Sequence, residues 1–213
     1  MEGMLPIALG LAIGFAILFL VEYAHQRKLI RTEVARKAIH LISGLILIAW
    51  SFYLSWETII IIEIGFIGAV GASRWLKLFD SQYGINRITW GEFFYPLGVI
   101  LTIALGAPRW VFILAVLHLC VADAVAAVVG TQYGKTNSYK VFGQKKSLAG
   151  SGAFFVVSVL LIVGVMQLAP ADVAMVSRLT LFLLPAATML SENLGAFGTD
   201  NLLIPLTVVL LLG

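Results

Sequence analysis

"WVFILAVLHLCVADAVAAVVGTQYGK", residues 110–135, decides how this chain is read. From Trp110 to Gly130 it is apolar over roughly the 20 residues that a membrane-crossing helix needs, with one acidic residue, Asp123, inside it. A carboxylate at such a position costs at least ~2.5–3.5 kcal/mol on insertion scales, so it has a partner or a role. Two readings are open: an ion pair with a basic residue of a neighbouring helix, or a carboxylate near the membrane boundary that holds a divalent cation. Gly130 and Gly134 then open the loop that follows.

The rest of the chain has the same character. Hydrophobic residues make up 61% and charged residues 12% of the 213 positions, and the mean hydropathy is +1.01. That composition excludes an ordinary soluble domain and implies an integral membrane protein. Apolar runs fall at about 5–24, 39–55, 57–73, 93–107, 110–130, 148–169, 174–190 and 200–213. The expected fold is therefore all-α, a single polytopic bundle over 1–213 with about seven to eight transmembrane helices, the fourth and eighth being short. The first run has no basic segment before it and no small-residue cleavage pattern after it, so it reads as a retained helix. A lone cysteine, Cys120, excludes an internal disulfide and a multi-cysteine metal site.

The net charge of +3 does not point to nucleic acid, because the basic residues sit between apolar runs and form no basic face. They follow the positive-inside rule instead. Of the fourteen, only Arg109 and Arg178 fall in the alternate connections, which leaves twelve on one side. This predicts a non-cytoplasmic N-terminus and a cytoplasmic face built from the loops at about 25–38, 74–92, 131–147 and 191–200.

Several clusters fall on that face. In "KKSLAGS", Lys145 and Lys146 precede an expected helix start near Ser147, where unpaired backbone N–H groups favour an anion. Lys135 adds a further cation, Ser147 and Ser151 can cap or donate, and Gly130, Gly134 and Gly150 allow close approach to the backbone. The alternative is two topological lysines beside a serine cap and a small-residue packing face. In "SENLGAFGTDN", Glu192, Asp200 and Asn201 offer the oxygen ligands that Mg²⁺ prefers, or else form a solvated acidic loop. Arg36 and His40 are four apart in "RKAIH", with Lys37 beside them, and His40 is either catalytic or a local hydrogen-bond partner. Glu92 stands at the mouth of the fourth run. Glu63, midway along the third, is equally consistent with packing and with a lipid pathway. Cations for phosphates, carboxylates for a metal and apolar walls for a lipid together suit phosphoryl or nucleotidyl transfer to a membrane-embedded substrate.

"RKAIH", "DAVAAVVGTQYGK", "KKSLAGS" and "DNLLIPL", in this order, resemble the CTP-dependent lipid-alcohol kinases: dolichol kinase, phytol kinase and the yeast-type CTP-dependent diacylglycerol kinase. The resemblance covers about residues 36–206, and "GEFFYPLG" with the small size is most similar to the phytol and prokaryotic polyprenol kinase branch. It implies transfer of the γ-phosphate of CTP to the hydroxyl of a lipid alcohol from the bilayer (phytol, polyprenol, dolichol or diacylglycerol) with a divalent cation. By the same resemblance Lys145, Lys146, Ser147, Gly150 and Ser151 match the nucleotide-binding segment, Asp123 opens the block, and Asp200 and Asn201 match its terminal DN. Chemistry adds Mg²⁺ on Asp123, Asp200, Asn201 and Glu192, and a catalytic set of Asp123, Glu92, His40 and Arg36. Two other functions use similar parts: a CDP-lipid synthase, although "GTDNLLIP" lacks the arginine of a DRxD-like signature, and a small membrane transporter, for which no internal repeat is visible.

Overall fold

The computed structural model of the protein describes residues 3–76, 90–169 and 179–213. These residues form eight helices and one short hairpin. The helices are α1 (Met4–Gln26), α2 (Thr32–Tyr53), α3 (Trp56–Trp75), α4 (Gly91–Ala104), α5 (Arg109–Tyr133), α6 (Leu148–Leu168), α7 (Thr180–Leu194) and α8 (Asp200–Leu212). Five of them, α1, α2, α3, α5 and α6, are long and apolar enough to cross a membrane, while α4 and α8 are apolar but shorter. The fold is thus an all-α bundle of membrane type. Lys77, Arg87, Arg178 and the start of the seventh apolar run lie outside the described residues.

Helix α5 is the hub. Phe112, Ala115, Leu119 and Ala122 are fully buried along it, joined by Ile59 of α3, Phe154 and Ile162 of α6, Leu184 of α7 and Ile204 and Val208 of α8. Helices α1 and α3 are far more exposed, presenting Phe15, Phe19, Ile61 and Ile64 outward, as a lipid-facing surface requires. Helix α1 is fastened to α2 at one close crossing. Trp50 donates from Nε1 to the Pro6 carbonyl at 2.8 Å, and its ring lies where a Cβ on Gly10 would stand.

Three features depart from the expectations. Helix α2 begins at Thr32, seven residues before the apolar run at 39, so Arg36 and Lys37 are buried helical residues and the loop expected at 25–38 ends early. The connection at 131–147 contains an antiparallel hairpin, β1 (Ser138–Val141) with β2 (Gln144–Ser147), where Tyr139 faces Lys146 and Lys140 faces Lys145. Its two-residue turn has positive φ at both Phe142 (46°) and Gly143 (78°), the conformation whose twist matches paired strands. Lys145 and Lys146 therefore lie on a strand, and helix α6 starts only after Ser147. Finally, α5 contains a π-helical turn at His118–Ala122, immediately before Asp123. Such turns insert one residue into an α-helix and rotate everything after it.

Candidate functional site: two cavities along one face of helix α2

Asp123 is 3% exposed, and its partner is the Lys37 ammonium, which donates to Asp123 Oδ2 across 86 residues of sequence. Of the two readings open for Asp123, the ion pair with a neighbouring helix is the arrangement present. Next to Lys37 on α2, Arg36 donates to Glu33, one turn earlier, at 2.8 Å. Opposite them, Lys146 reaches from the hairpin to the end of α7, where it donates to the Glu192 carboxylate at 2.5 Å and to the Glu192 backbone carbonyl at 2.7 Å. Glu192 lies beyond the apolar run of α7. Burial pushes its carboxyl above the ordinary carboxylate range, the Lys146 charge opposes this, and the nearby Asp123 and Asp200 carboxylates add to it.

These groups surround a polar cavity of about 470 Å³, lined by Arg36, Lys37, Lys135, Lys145 and Lys146 and by the carboxylates of Glu33, Asp123, Glu192 and Asp200. Gly130, Gly134, Ser147, Gly150 and Ser151 complete its wall. Most of the residues expected to hold a nucleotide or metal thus meet in one place. Asn201 does not: it is buried and donates from Nδ2 to the Gly91 carbonyl at 2.9 Å, so it ties α8 to α4. Glu92 is also elsewhere, paired at 2.7 Å with Arg74, whose guanidinium covers the Trp90 ring.

The glycines serve packing. A Cβ on Gly134 would stand 2.3 Å from the Gly130 carbonyl oxygen and 2.5 Å from Ser147 Cβ, and one on Gly150 would stand 3.0 Å from the Ala126 carbonyl oxygen. Their absence of side chains lets the end of α5 lie directly against the start of α6, which sets Asp123 and Lys146 around one space. Gly134→Ala is expected to cost about 1–3 kcal/mol by overpacking, lowering the thermal unfolding temperature. Gly152→Ala, where nothing lies within 4 Å, leaves it unchanged or raises it and is the control.

The start of α6 differs from the expected anion site. Leu148 N–H donates to the Asn137 carbonyl at 3.1 Å, Ala149 N–H to Asn137 Oδ1 at 3.4 Å and Gly150 N–H to Ser147 Oγ at 3.1 Å. Three of the four amides that a helix start leaves over are already satisfied. Attraction for phosphate in this cavity rests on side-chain cations instead. The hairpin carrying two of them is pinned by Tyr139, which donates to Asn193 Oδ1 and lies 2.8 Å from Ser151 Oγ. Neither Tyr139 nor Asn193 stood out in the sequence, because nothing local marks a bond that spans 54 residues.

Among the described residues no three His, Cys, Asp or Glu side chains are grouped closely enough to form a metal site by themselves. The donor set fits a cation that arrives with phosphates, since Mg²⁺ then needs only one or two carboxylates. Asp123 and Asp200 line the same cavity and lie within electrostatic reach of each other.

A second, apolar cavity of about 250 Å³ lies among α1, α2, α3 and α4. Its walls include Gly10, Phe15, Leu47, Trp50 and Phe66, and its polar members are His40, Ser43, Glu63, Ser73, Glu92 and Tyr95. His40 packs on the Tyr95 ring with centroids 4.9 Å apart, and the Tyr95 hydroxyl donates to the His40 carbonyl at 3.2 Å. Arg36 lines the polar cavity, whereas His40, Ser43, Leu47 and Trp50 line the apolar one. At spacings of four, three, four and three residues, these five form one stripe on α2. The two cavities follow one another along a single helix face, with Arg36 and His40 at the seam. No family description, curated protein or solved structure matches the chain.

Proposed function

We propose that the protein is a phosphotransferase that moves the γ-phosphate of CTP to the hydroxyl of a membrane lipid alcohol, drawn from the isoprenoid alcohols or diacylglycerol. The observation that carries this reading is the α2 stripe, which joins a cavity rich in cations and carboxylates to an apolar one. A reaction between a soluble polyanion and a bilayer lipid needs that juxtaposition, and its catalysis is mainly positioning and charge neutralisation.

In this reading Lys145, Lys146 and Lys135 receive the triphosphate, and Arg36 and Lys37 face the phosphoryl group to be transferred. Asp123 and Asp200 would hold Mg²⁺, which supplies charge neutralisation on the phosphate oxygens. The lipid lies in the apolar cavity with its hydroxyl at the seam. The lipid oxygen attacks the γ-phosphorus, the bond from that phosphorus to the β,γ-bridging oxygen breaks, and CDP leaves with the bonding electrons. The Glu92 carboxylate, which lines the apolar cavity and is held by Arg74, takes the hydroxyl proton, and the His40 imidazole, buried at the seam, positions the hydroxyl. The excess of basic residues at this end of the bundle argues for a cytoplasmic catalytic face and a non-cytoplasmic N-terminus.

The test is purified protein in detergent with Mg²⁺, CTP labelled on the γ-phosphate, and a mixture of phytol, a short polyprenol and diacylglycerol. Label in a lipid is the expected result, and the lipid's mobility identifies the acceptor. Label released as pyrophosphate after addition of lipid phosphates would mean nucleotidyl transfer. No consumption of CTP under either condition would overturn both enzymatic readings.

A further inference from the structure

Among the described residues, Glu63 is a buried acid with no hydrogen bond or ion pair, although the Tyr95 side chain lies within its electrostatic reach. It is 3% exposed, lies near the middle of α3 and lines the apolar cavity. The contrast with Asp123 and Glu192, each held by a lysine, is plain. An acidic side chain at this depth costs too much to persist without a polar counterpart, and a cavity offers a place for one to arrive. Ser43 lines the same cavity three residues beyond His40, which the rise of an α-helix converts to about 4.5 Å farther along the groove. Below the seam, then, the cavity carries further polar side chains, Ser43 on α2 and Glu63 on α3, as well as apolar walls at Leu47 and Trp50. A simple chain alcohol has one oxygen, placed at the seam, and would set hydrocarbon against Glu63.

We propose that Glu63 and Ser43 form a second polar subsite in the apolar cavity, one that selects lipids carrying another oxygen a few bonds beyond the reacting hydroxyl, as in a glycerol ester. The inference rests on the phosphotransfer reading for the position of the hydroxyl. Diacylglycerol has the required spacing. The lining residues Phe15 and Phe66 are 52% and 37% exposed, so the cavity opens outward between α1 and α3, and the greater part of both chains stays in the bilayer.

The experiment is native mass spectrometry of the purified full-length protein without nucleotide, offered equal amounts of diacylglycerol and phytol. The wild-type protein is expected to retain diacylglycerol preferentially. Glu63→Leu is expected to reduce that preference about tenfold, equivalent to about 1.4 kcal/mol, while Glu63→Gln, which keeps a hydrogen-bonding head of the same size, preserves it. Ser43→Ala gives a smaller shift in the same direction and serves if the leucine variant does not fold. Equal retention of the two lipids by the wild type, retention of neither, or a preference that Glu63→Leu and Ser43→Ala leave intact would each overturn the subsite. The same preparations are assayed for transfer from labelled CTP. A preserved binding pattern without transfer would sink the kinase reading alone, and transfer with a ratio of lipid products indifferent to Glu63 would sink the subsite alone.

Discussion

Asp123→Asn is expected to abolish phosphoryl transfer, by at least about a hundredfold, in a protein that still purifies as a single folded species. Asparagine has the size and shape of aspartate and keeps an oxygen that can accept from Lys37, so the packing between α2 and α5 survives. What disappears is the negative charge, and with it a principal ligand for a cation bound to phosphate. Losing one preorganised electrostatic contact at a transfer site costs about 10²–10³ in rate. A second readout does not need turnover. Mg²⁺ with CTP should raise the unfolding temperature of the wild type, because a ligand that binds only the folded state stabilises it. The same addition should leave Asp123→Asn nearly unmoved. Full activity in the variant, or an undiminished thermal shift, would remove Asp123 from the site.

How far this site could be read in advance depended on how local each feature is. The Ser147 cap and the helix after it are local, since a side chain bonds an amide three residues on, and the structure has them where the sequence placed them. The cost of Asp123 in an apolar run was equally legible, but its partner was not, because Lys37 is 86 residues away. An apolar run stops at polar residues whether or not the helix does: Arg36 and Lys37 set the start of the run at 39, although the helix starts at Thr32. The hairpin carries no strand signal in the sequence, because strands of four residues bearing three lysines lack an apolar alternation, and its turn places a phenylalanine at positive φ. The π turn before Asp123 has no sequence signature at all. The amides at the start of α6 were expected to be open to an anion, and Asn137, ten residues upstream of Ser147, takes two of them.

Lys37→Met is expected to be the most destabilising single change at the site, by about 3–5 kcal/mol, through the carboxylate it leaves behind. The two halves of this pair are not equivalent. Asp123 also lines the polar cavity, but it sits on a short side chain ten residues before the end of α5 and cannot swing away from its buried place when its partner is gone. Lys37 has a four-carbon stem and borders the polar cavity, so after Asp123→Asn its ammonium can turn toward solvent or toward Glu33. Charge removal on the acid side should therefore be mild for folding, and removal on the basic side severe. The double variant Lys37→Met with Asp123→Asn isolates the cause, because no buried charge remains and most of the lost stability should return. Thermal or denaturant unfolding of the four proteins in one detergent gives the coupling, expected at about 2 kcal/mol or more. Equal destabilisation by the two single changes would mean that both charges are equally trapped, and an additive double variant would mean that the methionine disturbs packing alone.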